Sequence, residues 1–415
     1  MTTPPLDAAA VSEHLADTVR SWLGLPRSAE TEVPRLPDEL ARVLLRVEEL
    51  EQGHRDRYGC FEYSFSERYR AGALWEPGLD HWVAQERRKL AGRVELEPLW
   101  PDGKRFVVSL THDVDMVSTA STPGQALRGI RHKLTTVESP HGRERVLRLL
   151  LAEGQPHYWR LARTPPTANS LERCVELELE RGIKGTYFFS VYPAGRSSAY
   201  DCLYRLDDLC VFRGRPRTIS ELVTILAAEG MEVGLHGSFS SALDGAGLAD
   251  ERRALERATG LDVTTTRQHF LRWDVRATPR AQELAGLSVD SSLGFNRNVG
   301  FRAGTSLPFH LFDLEEDRRL DVLELPLVLQ DGPLLAPDAL ALDLPLARRV
   351  TAQLIDAVAE VGGVATVLYH PHSLADPDFL ELYRFTLDYA IQGDAWVAPL
   401  GTVAAWWRER EQRLR

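Results

Sequence analysis

The sequence predicts an α/β fold in residues 104–415, either a layered sheet or a βα barrel, behind a mostly helical N-terminal appendage in residues 1–103. From residue 104 onward, short apolar segments alternate with amphipathic segments of helical spacing. Polar residues directly follow several of the apolar segments, as at the carboxyl ends of parallel strands, where loops surround one common mouth. With 415 residues, of which 44% are hydrophobic, the chain can bury a large core.

The predicted elements are short, and each type has a distinct pattern. Apolar segments predict strands at 105–111, 185–191, 232–235, 263–266, 288–290, 322–325, 364–369 and 395–397. Helical spacing predicts helices at 171–181, 221–229, 250–259, 346–361 and 377–391. Ser220 is the predicted N-cap of the second of these helices, and Gly230 and Gly362 are predicted helix stops.

The appendage is predicted to contain helices at 8–23, 37–51 and 80–90, separated by stretches that contain proline and glycine. Residues 116–166 form a predicted insertion with a basic helical stretch around 144–151. Because the insertion follows a polar strand end, it is either a lid over the mouth or structural padding. No internal repeat or low-complexity tract stands out.

Charge and composition exclude several classes of protein. Lysine and arginine total 49 against 60 acidic residues, for a net charge of -11, which argues against nucleic acid as a partner. The N-terminus does not resemble a signal peptide, and no apolar run approaches the roughly 20 residues of a membrane helix. We therefore expect a cytoplasmic protein without a transmembrane segment. The four cysteines form no CxxC pair, so we expect neither a disulfide framework nor a thiolate zinc site.

Two carboxylates follow the first predicted strand. Asp113 and Asp115 lie two residues apart, so in extended geometry both side chains face the same side. They could then divide the roles of general base and metal ligand. The alternative is that they cap the turn and helix that follow.

Two further strand ends carry basic and imidazole side chains. His236 ends an apolar strand and is either a ligand or a hydrogen-bonded core histidine, with Ser240 close behind it. Arg267 and His269 alternate onto one face, which would bring a guanidinium near the carboxylates and an imidazole near a metal. The alternative for Arg267 is a structural ion pair with an aspartate.

The C-terminal half adds a candidate general acid. His370 directly follows the strand-like segment Gly363–Tyr369, and its ordinary pKa of about 6.5 suits proton transfer near neutrality. His372 is a weaker candidate and could be a loop residue. Arg302 is either a binding group for an anionic part of the substrate or an ordinary surface arginine. Glu324 either hydrogen-bonds substrate or pairs with an arginine.

The order of these blocks resembles the motifs of the polysaccharide deacetylase family, also known as the NodB-homology or carbohydrate esterase 4 group. The resemblance extends over roughly residues 104 to 400. The family's Thr-Phe-Asp-Asp, His-Ser/Thr-x-x-His, Arg-x-Pro-Tyr/Phe and Leu-x-His motifs correspond to residues 111–115, 236–240, 267–270 and 368–370. The last motif matches without change. The resemblance implies a distorted (β/α)7-type barrel.

The family's roles carry over residue by residue. The resemblance implies that Asp113 is the general base, Arg267 its tether, His236 a metal ligand and His370 the general acid. Leu368 would line the acyl pocket.

The motifs also depart from the family pattern. The family's second metal-binding aspartate aligns with Val114, so Asp115 is the candidate replacement. The family's second histidine falls on Ser240, a weak ligand that we assign to substrate binding, and His269 is the candidate for the missing imidazole. Phe270 is assigned to substrate binding as well, and a backbone N–H near it could stabilise an oxyanion.

The expected protein is a metal-dependent amide hydrolase that removes an acyl group, acetyl in the first instance, from an amino sugar or related metabolite. Imidazole and carboxylate ligands suit zinc first, with cobalt, nickel or manganese as alternatives. The substrate would be a small molecule or a lipid-linked precursor. Two alternatives stay open: a non-catalytic relative that binds carbohydrate, and a hydrolase of another ester or cyclic amide that uses the same ion. The sequence does not indicate the oligomeric state.

Overall fold

The computed structural model describes residues 8–56, 58–117, 168–193, 200–202 and 204–415. The predicted helical stretch around 144–151 lies outside these residues. The described residues contain the following strands: β1 Val107–Val114, β2 Thr186–Phe189, β3 Leu209–Phe212, β4 Arg215–Thr218, β5 Glu232–Gly237, β6 Thr265–Gln268, β7 Val289–Asp290, β8 Phe309–Asp313, β9 Arg318–Glu324, β10 Leu327–Gln330, β11 Val364–Leu368 and β12 Trp396–Val397.

The central sheet is parallel and curls back on itself. Its strands follow the order β10-β11-β1-β2-β5-β6-β7-β9, and every neighbouring pair in this series is parallel. The two end strands, β9 and β10, are separated by only Leu325 and Pro326, so one stretch of chain joins both edges. When the continuous stretch β9–β10 is counted as one position, these eight strands occupy seven positions around the sheet, which confirms the predicted α/β barrel.

Additional strands extend the barrel at its margins. β8 pairs antiparallel with β9, β12 pairs with the start of β1, and β3 and β4 form a separate two-stranded hairpin. All eight residues of β1 are buried, as expected for the middle strand of a sheet covered on both faces.

Most helices lie between strands, as in βα units. Those within the described residues are α1 Ala9–Leu23, α2 Asp38–Leu44, α3 Val47–Glu51, α4 Glu67–Arg70, α5 Gly78–Leu90, α6 Asn169–Leu179, α7 Ile219–Ala228, α8 Gly245–Thr259, α9 Thr278–Leu284, α10 Asp331–Leu335, α11 Leu344–Val361, α12 Pro377–Gln392 and α13 Leu400–Arg413. None of them is long and apolar enough to span a membrane.

The structure corrects two local predictions. Thr218, not Ser220, is the N-cap of α7: its hydroxyl accepts a hydrogen bond from the backbone N–H of Glu221, whose side chain bonds back to the N–H of Thr218. The single helix predicted at 37–51 is two helices, because Arg46 has a left-handed backbone conformation with φ 55° and separates α2 from α3.

The N-terminal helices pack directly on the barrel. Buried residues of α1 and α5 share a hydrophobic cluster with β8, β9 and α13. The indole of Trp22 donates a hydrogen bond of 2.8 Å to the carbonyl of Pro308, and the N–H of Leu79 bonds to the carbonyl of Gly304. Residues 8–103 therefore contribute to the same core as the barrel, while the boundary at residue 103 stays a prediction.

Candidate metal and catalytic site

The two carboxylates at the end of β1 face one cluster of side chains. The Oδ1 atom of Asp115 lies 3.2 Å from Nε2 of His236, and Oδ2 of Asp113 lies 3.9 Å from the same nitrogen. Burial by itself raises the pKa of Asp115, but His269, His236 and His370 outweigh it and hold that pKa well below its usual value. Alternation along β1 thus brings Asp113 and Asp115 to one side, as predicted.

His236, at the end of β5, is oriented as a metal ligand would be. Its Nδ1 donates to the carbonyl of Arg267 at 3.0 Å, which leaves Nε2 pointing toward Asp115. The residue is completely buried, and Nε2 has no hydrogen-bond partner among the described residues. Burial lowers the pKa of His236, whereas Asp113 and Asp115 outweigh this and raise it. A cation between Nε2 and the carboxylates would satisfy both groups, so these residues fit a metal ion.

His269 approaches the same carboxylate from the end of β6. Its Nε2 lies 3.6 Å from Oδ1 of Asp115, and its ring centre is 4.8 Å from that of His236. Burial lowers the pKa of His269 to about 4, so the ring is neutral near pH 7. The next two residues, Phe270 and Leu271, both have positive φ (60° and 48°), and this tight turn gives the chain its course past the site.

A cysteine completes this group. The Sγ atom of Cys202 lies 3.7 Å from Oδ1 of Asp115, and one ligand atom from each of Asp115, Cys202, His236 and His269 lies within 4.8 Å of the others. We refer to these four residues as the ligand cluster. All four cysteines are reduced and buried, as expected. The lack of a CxxC pair, however, does not exclude a thiol from this site.

Arg267 is buried beside Asp113. Its Nη1 lies 3.3 Å from Oδ1 of Asp113 and also donates to the hydroxyl of Thr111, while Nε and Nη2 bond to the carbonyl and hydroxyl of Ser291. The ring of Phe188 packs 4.8 Å from the guanidinium carbon. Because the guanidinium is fixed on several sides, it holds the Asp113 carboxylate in one orientation.

His370 lies beside the second carboxylate oxygen of Asp115, whereas the other members of the ligand cluster lie beside the first. Its Nδ1 lies 2.7 Å from Oδ1 of Asp331, and its backbone N–H donates to Oδ2 of the same carboxylate. This leaves Nε2 directed to Oδ2 of Asp115 at 3.6 Å. Burial lowers the pKa of His370, but Asp331 and then Asp115 outweigh it and raise it to about 10. Sequence reasoning missed Asp331, although its place directly after β10 follows the pattern of polar strand ends.

The cluster opens into a cavity of about 620 Å³, within the range typical of ligand pockets. Its inner wall includes Leu368, which packs with Leu271 and Leu327 in a small apolar cluster. Its outer wall includes Tyr58 and Phe270, whose rings stack with centres 4.4 Å apart. The cavity wall thus includes both leucine side chains and an aromatic pair.

Several predicted site residues lie elsewhere. Arg302 is buried in an ion pair with Glu49 at 2.8 Å, so its guanidinium is not available for the predicted contact with an anionic substrate group. Glu324 is buried beside Asp290, accepts the N–H of Leu293 and is not among the residues that line the cavity.

Two other candidates lie at the margin of the site. Ser240 is exposed beyond the end of β5, with its hydroxyl 3.5 Å from that of Ser238. His372 has its ring centre 5.6 Å from that of His370. The contact predicted between Ser240 and substrate stays a prediction.

The fold and site define an α/β barrel with a cluster of carboxylate, imidazole and thiol groups at the carboxyl ends of its strands. Neither a family model nor a curated protein matches the chain. Among solved structures it is similar to a protein from Mycobacterium smegmatis assigned to the polysaccharide deacetylases, with 20% identity over 75% of this chain and 93% of that one and a TM-score of 0.48.

Two further solved structures resemble this chain. The allantoinase Puue is 13% identical over 77% of this chain and 95% of its own, with a TM-score of 0.47. A protein from Pseudomonas aeruginosa PAO1, also assigned to the polysaccharide deacetylases, is 15% identical over 77% of this chain and 97% of its own, with a TM-score of 0.46. Two of these three solved structures are therefore assigned to the polysaccharide deacetylases, the family that the sequence motifs resemble.

Proposed function

We propose that this chain is a metal-dependent hydrolase of the polysaccharide deacetylase family, which removes an acyl group from the nitrogen of an amino sugar or related metabolite. The observation that carries the proposal is the buried, unpartnered Nε2 of His236, which faces Asp115 beside His269. Asp113, paired with Arg267, and His370, paired with Asp331, lie next to this group: Asp113 is 3.9 Å from His236 and His370 is 3.6 Å from Asp115. This is the arrangement that hydrolysis with one base and one acid needs.

The chemistry divides between two pairs of residues. A divalent ion held by Asp115, His236 and His269 would supply a Lewis acid. Asp113, oriented by Arg267, accepts a proton from the attacking water through the oxygen that Arg267 leaves free. His370, whose Nδ1 is held by Asp331, presents Nε2 to the cavity and donates a proton to the departing amine as the C–N bond breaks.

The cavity supports an acylated amino sugar as substrate. Leu271 and Leu368, which line the cavity, suit contact with the methyl group of an acetyl substituent. The stacked rings of Tyr58 and Phe270 offer the kind of flat apolar face on which the C–H face of a sugar ring can pack. A soluble or lipid-linked amino sugar would satisfy both features.

Two variants test the assignment of ligand and base. We expect His236→Ala to lose bound metal, since it removes the unpartnered nitrogen. Asp113→Asn should retain metal and fold while its turnover falls by about 10²–10⁴-fold, the usual contribution of a general base. Metal content is measured by elemental analysis after purification without chelator, and turnover by release of acetate from N-acetylated amino sugars. His81→Ala, at an exposed position on α5, serves as the histidine control.

Each outcome separates the proposal from its alternatives. Protein that binds no transition metal but retains carbohydrate would be a non-catalytic binding relative. Turnover of cyclic amides or esters, with none of N-acetyl sugars, would keep the site and change the substrate class. Normal turnover by Asp113→Asn would refute the assignment of the base.

A further inference from the structure

We propose that Cys202 supplies a thiolate as the fourth protein ligand of the metal ion, so that the site prefers thiophilic ions such as zinc and cobalt to magnesium and manganese. This inference rests on the metal site of the proposed function and adds a ligand to it. Thiolate ligands favour zinc and related ions, whereas sites built from oxygen ligands favour magnesium, calcium and manganese.

The three distances that join Asp115 to the other members of the ligand cluster match the edges of a tetrahedral site. Bonds of about 2.0–2.1 Å to oxygen and nitrogen and about 2.3 Å to sulfur separate two N/O ligands by about 3.3 Å, and a sulfur from an oxygen by about 3.5 Å. The observed separations from Oδ1 of Asp115 are 3.2 Å to His236, 3.6 Å to His269 and 3.7 Å to Cys202. Each lies within a few tenths of an ångström of the tetrahedral value.

The surroundings of Cys202 hold its thiol toward the cluster. Its backbone N–H donates to the hydroxyl of Tyr192 at 2.7 Å, and Sγ lies 3.3 Å from the hydroxyl of Ser190, just beyond β2. Ser190 in turn donates to the carbonyl of His236, the ligand with the unpartnered nitrogen. One short chain of contacts therefore fixes the thiol relative to His236.

Charge favours the thiolate once a divalent ion is bound. One carboxylate from Asp115 and one thiolate from Cys202 together neutralise a divalent ion, and the residue is only 8% exposed, so the bound centre would be neutral where charge is costly. Catalytic zinc sites ordinarily keep one position for water and can expand to five-coordinate in the transition state, so turnover with four protein ligands would require the ion to take a fifth ligand.

Cobalt titration of the metal-free protein tests the ligand directly. A cobalt–thiolate bond gives a charge-transfer absorption band in the near ultraviolet, which nitrogen and oxygen ligands do not give. We expect wild-type protein to show the band and Cys202→Ser to bind cobalt without it. Cys174→Ser, which changes another fully buried cysteine, should retain it. Zinc affinity of Cys202→Ser should fall by more than the roughly 10- to 100-fold that loss of a supporting residue costs, and manganese affinity should stay within about twofold.

The results separate this inference from the proposed function. Cobalt binding by wild-type protein without the band, or the same band in Cys202→Ser, would overturn the thiolate ligand and leave the metal site intact. A wild-type protein that binds no cobalt would overturn both. If Cys202→Ser does not fold, X-ray absorption of the zinc-loaded wild-type protein decides: one sulfur in the metal shell supports the inference, and a shell of only nitrogen and oxygen refutes it.

Discussion

Asp331 and His370 form the most directly testable residue pair outside the ligand cluster. Both oxygens of Asp331 are used, one by the imidazole and one by the backbone N–H of His370. We expect Asp331→Asn to lower kcat by about 10²-fold or more, the lower end of what a positioned general acid contributes, because the charge that orients the ring and holds its proton is lost. Metal content should not change. The measurement is steady-state turnover with parallel elemental analysis.

Asp338→Asn is the matched control for Asp331→Asn, since Asp338 lies on the wall of the same cavity. It should alter KM more than kcat. A kcat of Asp331→Asn within twofold of wild type would remove Asp331 from the mechanism.

Local sequence patterns predict the site residues that lie at the end of one strand and miss those that reach the site only through tertiary contacts. Asp113 and Asp115 could be found because alternation along a strand is local in sequence. Cys202 could not, since it does not directly follow an apolar segment and reaches the cluster through contacts with Ser190, which in turn bonds to the carbonyl of His236. Contacts between distant segments leave no local pattern.

The strands likewise divide into those that the sequence predicts and those that it misses. Most buried parallel strands, such as β1, were predicted because both faces are covered and the segments are apolar, whereas the buried parallel strand β10 was missed. The hairpin β3–β4 was missed, since β4 reads Arg-Pro-Arg-Thr, and a proline within a strand is typical of an edge. β8 was missed because its apolar residues follow a turn with proline and pair antiparallel at the margin of the sheet.

Asp80 makes the attachment of α5 depend on pH. Its carboxylate accepts hydrogen bonds from the hydroxyls of Thr305 and Ser306 and from the N–H of Ser306. Burial raises the pKa of Asp80 from 3.8 to about 6. The folded protein therefore binds the proton of Asp80 more tightly than the unfolded chain does. This contribution to stability is fully present below pH 3.8 and is lost as the pH rises through about 6. This difference between the two pKa values corresponds to at most about 3 kcal/mol in the free energy of unfolding.

Urea unfolding between pH 5 and pH 8 measures this dependence. We expect the free energy of unfolding of wild-type protein to fall over this range by more than that of Asp80→Asn, which has no proton to lose. Asp317→Asn, at an exposed turn, should follow wild type. Identical pH profiles for wild type and Asp80→Asn would show that Asp80 does not titrate in this range.

At the scale of the whole molecule, the N-terminal region is part of the site as well as of the core. Tyr58 lines the cavity, and the thiol of Cys60 lies 3.5 Å from the carbonyl of Phe270, in the turn that follows β6. The appendage predicted from the sequence thus supports the strained turn beside His269. Its helices were predictable from spacing, whereas this role depends on tertiary contacts that spacing does not encode.

A buried ion network joins this region to the barrel. Glu49 lies between Arg46 and Arg302, at 2.8 Å from each guanidinium, and all three side chains are fully buried. Burial raises the pKa of Glu49, but Arg302 and Arg46 outweigh it and lower that pKa to about 2. The network is therefore charged at neutral pH, and removing one member leaves a buried charge with fewer partners.

We expect Arg302→Met to destabilise the protein by about 3 kcal/mol, at the lower end of the range for a broken buried pair, because Arg46 still neutralises Glu49. Arg35→Met, which removes an exposed pair with Asp38, should cost less than about 1 kcal/mol. Chemical unfolding followed by tryptophan fluorescence and by far-ultraviolet circular dichroism should give one coincident transition for both variants, since α1 and α5 share a core with β8 and β9. Separate transitions in Arg302→Met, with the N-terminal region unfolding first, would mean that the network and not the shared core unites the two parts.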